Sequence, residues 1–216
     1  MVTLTAKELN INDVHQLLKW DKQSNNSFCS LLSVESLTEF EQQELSQISQ
    51  DFNEYLSTSK ASEGLVKALT TYPLMRLAGF YPSPIKISLE ENIAPINIED
   101  EDTIITGRMD ILCINKEQTT LNHIPFWLLV IEAKNSLVAP RAGLAQLLTY
   151  AYKSLDSQQS VWGLSTNGEL YQFIHLQKDN QNNPNYQLLP PLTLLENDSA
   201  TKILQALKAI YKLQIN

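Results

Sequence analysis

Pro125-Phe126-Trp127-Leu128-Leu129-Val130-Ile131-Glu132-Ala133-Lys134 is the stretch that sets the architecture. Its six successive apolar residues leave no polar side on a period of two. That is the pattern of a central strand covered on both faces. Working outward toward the N-terminus, Thr103–Ile114 reads as a second strand, and Ile85-Lys86-Ile87-Ser88-Leu89 alternates like a strand with one wet face. The acidic segment 90–102, with Pro95 inside it, reads as a loop. Toward the C-terminus, Leu144, Leu147, Leu148, Ala151 and Leu155 have helical spacing, with Pro140 suited to the first turn. Val161–Leu164 and Leu170–Leu176 read as strands joined through Thr166-Asn167-Gly168-Glu169, whose Asn-Gly favours a tight hairpin turn. Segment 179–186 reads as a polar loop and 199–213 as a terminal helix.

Upstream of the strands the pattern is helical. One helix is expected over 5–20. Another runs through Val34, Leu37, Phe40, Leu45, Ile48, Phe52 and Tyr55, with Ser36 and Glu39 spaced as a capping box. A third opens near Ser62 and carries Leu65, Val66, Leu69 and Tyr72, until Pro73 ends, kinks or restarts it. Helix, three strands, helix, two strands predicts an α/β fold with a central mixed sheet. The early strands pair as a meander, and a helix crosses to the later ones. Residues 1–60 are expected to form an N-terminal helical extension and 61–216 the core.

The chain has 216 residues, 43% of them hydrophobic and 19% charged, which is a globular composition. No apolar run approaches the roughly 20 residues of a bilayer span. The N-terminus lacks the basic-then-apolar pattern of a signal peptide, so a cytoplasmic location is expected. Two cysteines, Cys29 and Cys113, are too far apart and too few for a disulfide framework or a cysteine zinc site. His15, His123 and His175 fit no metal-ligand spacing and read as structural. The formal net charge of -8 argues against tight non-specific binding to nucleic acid. The charge is uneven, however: segment 108–153 carries +2 and the remainder -10. No Gly-x-x-x-x-Gly-Lys-Ser/Thr phosphate loop, Gly-x-Ser-x-Gly or Gly-x-Gly-x-x-Gly is present, which removes an ATPase motor, a serine hydrolase and a dinucleotide site from this chain.

Chemistry enters at the end of the apolar strand. Glu132 and Lys134 share a face of a strand, and charges there must be paired, metal-bound or at a rim. Open α/β sheets place ligands at the carboxyl ends of strands; alternatively the pair marks the strand's emergence into solvent. Asp110 lies within an apolar strand pattern that disfavours it, three residues after Gly107, a residue that suggests a bulge or bend. Were the two strands neighbours, Asp110 and Glu132 would converge as a site for a hard cation such as magnesium or manganese. The other reading is a core Asp bonded to backbone amides. Gln146 and Tyr150, at i and i+4, lie off the apolar stripe of the next helix. They either face the strand end or form a solvated face. Glu63 follows a Ser62 N-cap, where the helix dipole alone accounts for an acid.

In order, these residues spell Glu … Asp … Glu-x-Lys … Gln-x-x-x-Tyr. Over about 60–177 the chain resembles the PD-(D/E)XK nuclease superfamily, with its restriction-endonuclease-like fold. The Gln-x-x-x-Tyr element looks like the RecB-like branch. The text Val161-Trp162-Gly163-Leu164-Ser165-Thr166-Asn167-Gly168-Glu169-Leu170-Tyr171-Gln172-Phe173 looks like the nuclease domain of type I restriction R subunits. One departure is that Met109, not Pro, precedes Asp110, and that Pro is often absent in the superfamily.

The resemblance implies a magnesium-dependent DNA endonuclease of restriction type, with manganese as a substitute ion. Asp110 and Glu132 would hold the metal, with Glu63 touching it directly or through water. Lys134 would orient or activate the attacking water, and Gln146 and Tyr150 would position the lysine, the metal site or the DNA backbone. Expected partners are DNA, a second copy for double-strand cutting, and separate motor or specificity subunits, with no membrane. Segment 34–57 could serve as a dimer interface or simply pack on the sheet. A catalytically silent module of the same fold, binding nucleic acid or protein, and a repair or recombination nuclease are the alternatives.

Overall fold

The structure is a computed structural model that describes residues 2–23, 31–98, 102–119 and 125–213. The predicted Pro125–Lys134 strand is β7 (Pro125–Ala133), and it lies inside an eight-stranded mixed sheet. Its neighbours are β6 (Arg108–Thr119), antiparallel, and β8 (Ser160–Thr166), parallel. Outside β6 lies β3 (Ile85–Asn92), completing the expected meander. The hairpin partner of β8 is β9 (Leu170–Lys178), followed by β10 (Pro184–Leu188) and the short β2 (Asp21–Lys22); β11 (Leu192–Thr193) also pairs with β9. Gly168 turns the β8–β9 hairpin at φ 90°, which glycine adopts without steric cost.

Both faces of β7 are covered. Leu129 and Ile131 join a core with Phe52, Val66, Leu74, Trp162, Phe173 and Leu204, while Val130 faces the other way among Leu112, Leu147, Leu148 and Ile174. The first face is built by α2 (Glu39–Thr58), α3 (Glu63–Val66), α4 (Tyr72–Leu77) and the terminal α6 (Asn197–Lys212). The second is covered by α1 (Ile11–Leu18) and α5 (Leu144–Tyr152), the crossover from β7 to β8. A mixed sheet flanked by helices is the α/β arrangement expected of a restriction-endonuclease-like core. Among the described residues, no helix is long and apolar enough to cross a membrane.

Several local expectations are corrected. Thr103–Ile114 is two strands: β5 (Thr103–Thr106) pairs with β1 (Val2–Thr5) and β4 (Ile96–Ile98) in a small second sheet, and the chain changes sheets at Gly107. The expected helix over 5–20 shrinks to α1, because Thr3, Leu4 and Thr5 are paired with β5 and Asn10 caps the helix from its side chain. The expected loop 90–102 holds the end of β3 and all of β4; its residues 99–101 lie outside the described region. The expected polar loop 179–186 ends in β10, with Pro184 tolerated as a first strand residue.

The capping box of α2 is not Ser36–Glu39 but Thr38–Glu41, the same spacing two residues later. Leu37 is buried just ahead of it, and Thr38 enters the helix with extended backbone at φ -70° and ψ 162°. Of the end, kink or restart expected at Pro73, the structure has the restart: α4 opens at Tyr72 with Pro73 in its first turn. A π-helical turn over Lys67–Thr71 joins α3 to α4, with the Tyr72 amide donating to the Lys67 carbonyl. This wider turn accommodates a proline ring that clashes in a regular helix. Segment 34–57 packs on α6 and on the α3–α4 helix, and its Phe52 reaches the sheet core and the β8–β9 hairpin at Gly168.

Candidate active site

The β6–β7 register runs Ile111 opposite Ile131, so one step further puts Asp110 across from Glu132. They lie on the α5 face, at the carboxyl end of β7. Asp110 Oδ2 accepts the Ala133 amide at 2.8 Å, fastening the two strands there. The amide-bonded Asp reading is therefore correct for one oxygen. The other, Oδ1, lies 3.4 Å from the ammonium of Lys67.

Lys134 Nζ donates to Glu132 Oε1 at 2.7 Å and to Gln146 Oε1 at 2.6 Å, and Gln146 Nε2 donates to the Tyr150 hydroxyl at 3.0 Å. Glu-x-Lys and Gln-x-x-x-Tyr thus form one continuous chain of hydrogen bonds between strand and helix. Of the two readings left open for Tyr150, the solvated face is not found: the residue is buried and its ring lies against Gly107. A Cβ at Gly107 would stand 2.7 Å from Tyr150 Cε1. Gly143, before α5, is equally constrained; a Cβ there would meet Ser165 Oγ at 2.7 Å and Glu132 Cγ at 2.8 Å. Both glycines are where they are because site side chains fill the space.

Glu63 is on α3, one turn before Lys67, and their side chains pair at 3.0 Å. The Lys67 ammonium also meets Glu90 at 3.3 Å, so it sits among three carboxylates. Glu90 has φ 54°, in the left-handed region that ordinary residues rarely enter. Its second oxygen accepts from Arg108 Nε at 2.9 Å. All six expected residues (Glu63, Asp110, Glu132, Lys134, Gln146 and Tyr150) line one cavity of about 730 Å³, together with Glu90, Arg108 and Lys7.

Sequence reading passed over Lys67 and Glu90. Glu63-x-x-x-Lys67 was legible as an i,i+4 helical pair. Glu90 carried no signal, because its aim depends on an unusual backbone conformation. His15 bonds the Tyr186 hydroxyl and His175 packs on Trp162, both away from this cavity; Cys113 is buried in the sheet. His123 and Cys29 lie outside the described residues.

The electrostatics are tense. Burial, then the nearby Asp110 charge, pushes Glu132 up to about 7 despite the Lys134 contact. Burial likewise raises Asp110, with the Glu63 charge adding to it against the pull of the Ala133 amide and Lys67. Tyr150 is pushed up to about 12 by burial and the Glu132 charge. Burial opposes the charge on Lys67, but the Glu63 hydrogen bond and the Asp110 charge win and raise it. Glu132 Oε2 is buried without a hydrogen-bond partner. Among the described residues no group of three His, Cys, Asp or Glu stands ready-made as a metal cage. Glu63, Glu90 and Asp110 close instead on an ammonium. The donor set nonetheless suits a hard cation: all oxygen, two carboxylates facing across adjacent strands, one oxygen unspent.

No family model and no curated protein matches the chain. Among solved structures, a fragment assigned as an HsdR subunit of a type I restriction enzyme from Vibrio vulnificus YJ016 aligns with 68% of this chain, at 20% identity and a TM-score of 0.38. The aligned part is 26% of that chain, so this protein spans about a quarter of its length.

Proposed function

We propose that the protein is a metal-dependent DNA endonuclease of restriction type, hydrolysing phosphodiester bonds at the carboxyl end of β7. The observation that carries this reading is the unpartnered Oε2 of Glu132, a residue opposite Asp110 on the neighbouring strand, beside a lysine held by two hydrogen bonds. Asp110 and Glu132 would hold Mg2+ or Mn2+, with Glu63 in reach through water. When bound, the ion supplies neutralisation of the phosphoryl oxygens and a lowered pKa for water.

The rest is the work of the chain. Lys134 presents a fixed positive charge where phosphate charge grows. Gln146 holds the ammonium at one angle, and Tyr150, wedged against Gly107, holds Gln146. Arg108 and Lys7 at the cavity wall offer cations to the DNA backbone. DNA is the proposed partner, with a second copy for a double-strand cut and a motor or specificity subunit on separate chains.

The test is nicking of supercoiled plasmid in Mg2+ or Mn2+ by wild type, Asp110→Asn and Lys134→Ala. The reading expects cutting by wild type and loss of about 100-fold or more in each variant. Equal activity in all three, or cutting in excess chelator, contradicts it. A second reading, a binding module of the same fold, is favoured by the closure of three carboxylates on Lys67. It expects DNA retention in a gel without cutting.

A further inference from the structure

Three carboxylates rarely gather around one buried ammonium without consequence. Lys67 Nζ lies 3.0 Å from Glu63, 3.3 Å from Glu90 and 3.4 Å from Asp110, and its side chain is only 10% exposed. The three acids come from separate elements: the start of α3, the left-handed bend in β3, and β6. Lys67 opens the π-helical turn that accommodates Pro73, so its backbone position is set by that irregularity. Beyond this group lies Glu132, whose Oε1 is taken by Lys134 and whose Oε2 has no partner. The cavity therefore has two anionic centres that share Asp110. One is already filled by a side-chain cation; the other has a free oxygen.

We propose that Lys67 is a built-in second cation, so that the site takes one divalent ion, between Asp110 and Glu132, and Lys67 fills the place of another among Glu63, Glu90 and Asp110. This deepens the nuclease reading and rests on it. An ammonium donates to oxygens near 3 Å, whereas Mg2+ requires them at about 2.1 Å. Removing the ammonium lets the three carboxylates close by about an ångström on a metal. Lys67 is thus a positioning residue: it keeps Glu63 and Asp110 neutralised and in place when no metal is bound, and it limits the ion count when metal is present.

The experiment is a Mn2+ titration of the whole chain, counting bound ions by loss of the free-ion electron paramagnetic resonance signal and by calorimetry. Wild type is expected to bind one ion, Lys67→Met two, and Lys67→Arg, which keeps the charge, one. Adding Glu90→Gln to Lys67→Met is expected to return the count to one, since Glu90 gives one oxygen to the Lys67 group and the other to Arg108. A count of one in Lys67→Met overturns the inference while leaving the metal site standing. A count of two in wild type or in Lys67→Arg also overturns it, and neither measurement needs the neutral variant to fold. No ion in any of them removes the metal reading itself, and this inference with it.

Discussion

The two ends of β7 solve the same problem in opposite ways. Both bury polar groups beside apolar sheet. At the start, Gln158 accepts the Trp127 amide at 2.9 Å and donates to the carbonyls of Trp127 at 2.9 Å and Ser160 at 2.6 Å. Both amide hydrogens and the oxygen are used, at no net charge. At the finish, Glu132 has one oxygen on Lys134 and one on nothing, and its neighbour Asp110 adds repulsion. A buried polar group with all partners present fastens a fold, whereas one left incomplete costs stability and points to a ligand.

Four changes separate the two ends, taken from the largest effect down. Lys134→Ala should lower nicking by about 100-fold or more, equivalent to roughly 3 kcal/mol of barrier, read as initial rate on supercoiled plasmid. Glu132→Gln should stabilise the metal-free protein at pH 8 by up to about 3 kcal/mol, read by urea unfolding. The sign follows from a carboxyl raised to about 7 in the folded state against an ordinary value of 4.5. Its contribution is fully present below the unfolded value and is lost as pH rises through about 7, so the variant's advantage should fade by pH 5.

Gln158→Ala should do the reverse, costing about 2 kcal/mol through the unpaired Trp127 and Ser160 backbone groups, equally at pH 5 and pH 8 and without altering metal response. Were both substitutions to destabilise alike, the contrast between the ends would be broken. Gly143→Ala, whose methyl would press on Glu132 and Ser165, should cost about 1 kcal/mol and lower nicking by shifting Lys134, a combination read by running both assays on one preparation.

The sheet around β7 was legible because its signals are local and redundant: an unbroken apolar run, an Asn-Gly turn, a helical stripe from Leu144. The Asp110–Glu132–Lys134 group was legible for the same reason, since strand period and neighbour pairing bring them together once β6 and β7 are adjacent. What failed depended on partners far along the chain. Val2–Thr5 becomes a strand only because Thr103–Thr106 is there to pair with it. For Tyr150 the strand-end and solvated-face readings stayed open, because nothing in its own helix announces Gly107 and the second core that enclose its ring. Glu90 entered the site through one left-handed residue, and Lys67 through the convergence of three separate elements on its ammonium.

Thermal unfolding of wild type and Glu132→Gln at pH 8, each in Mg2+ and in chelator, tests the central claim that the finish of β7 is left incomplete for a cation. The account predicts that Mg2+ raises the melting temperature of wild type, and that Glu132→Gln melts higher than wild type in chelator and gains nothing from Mg2+. A wild type indifferent to Mg2+ and more stable than Glu132→Gln would contradict it, making Glu132 a structural residue like Gln158.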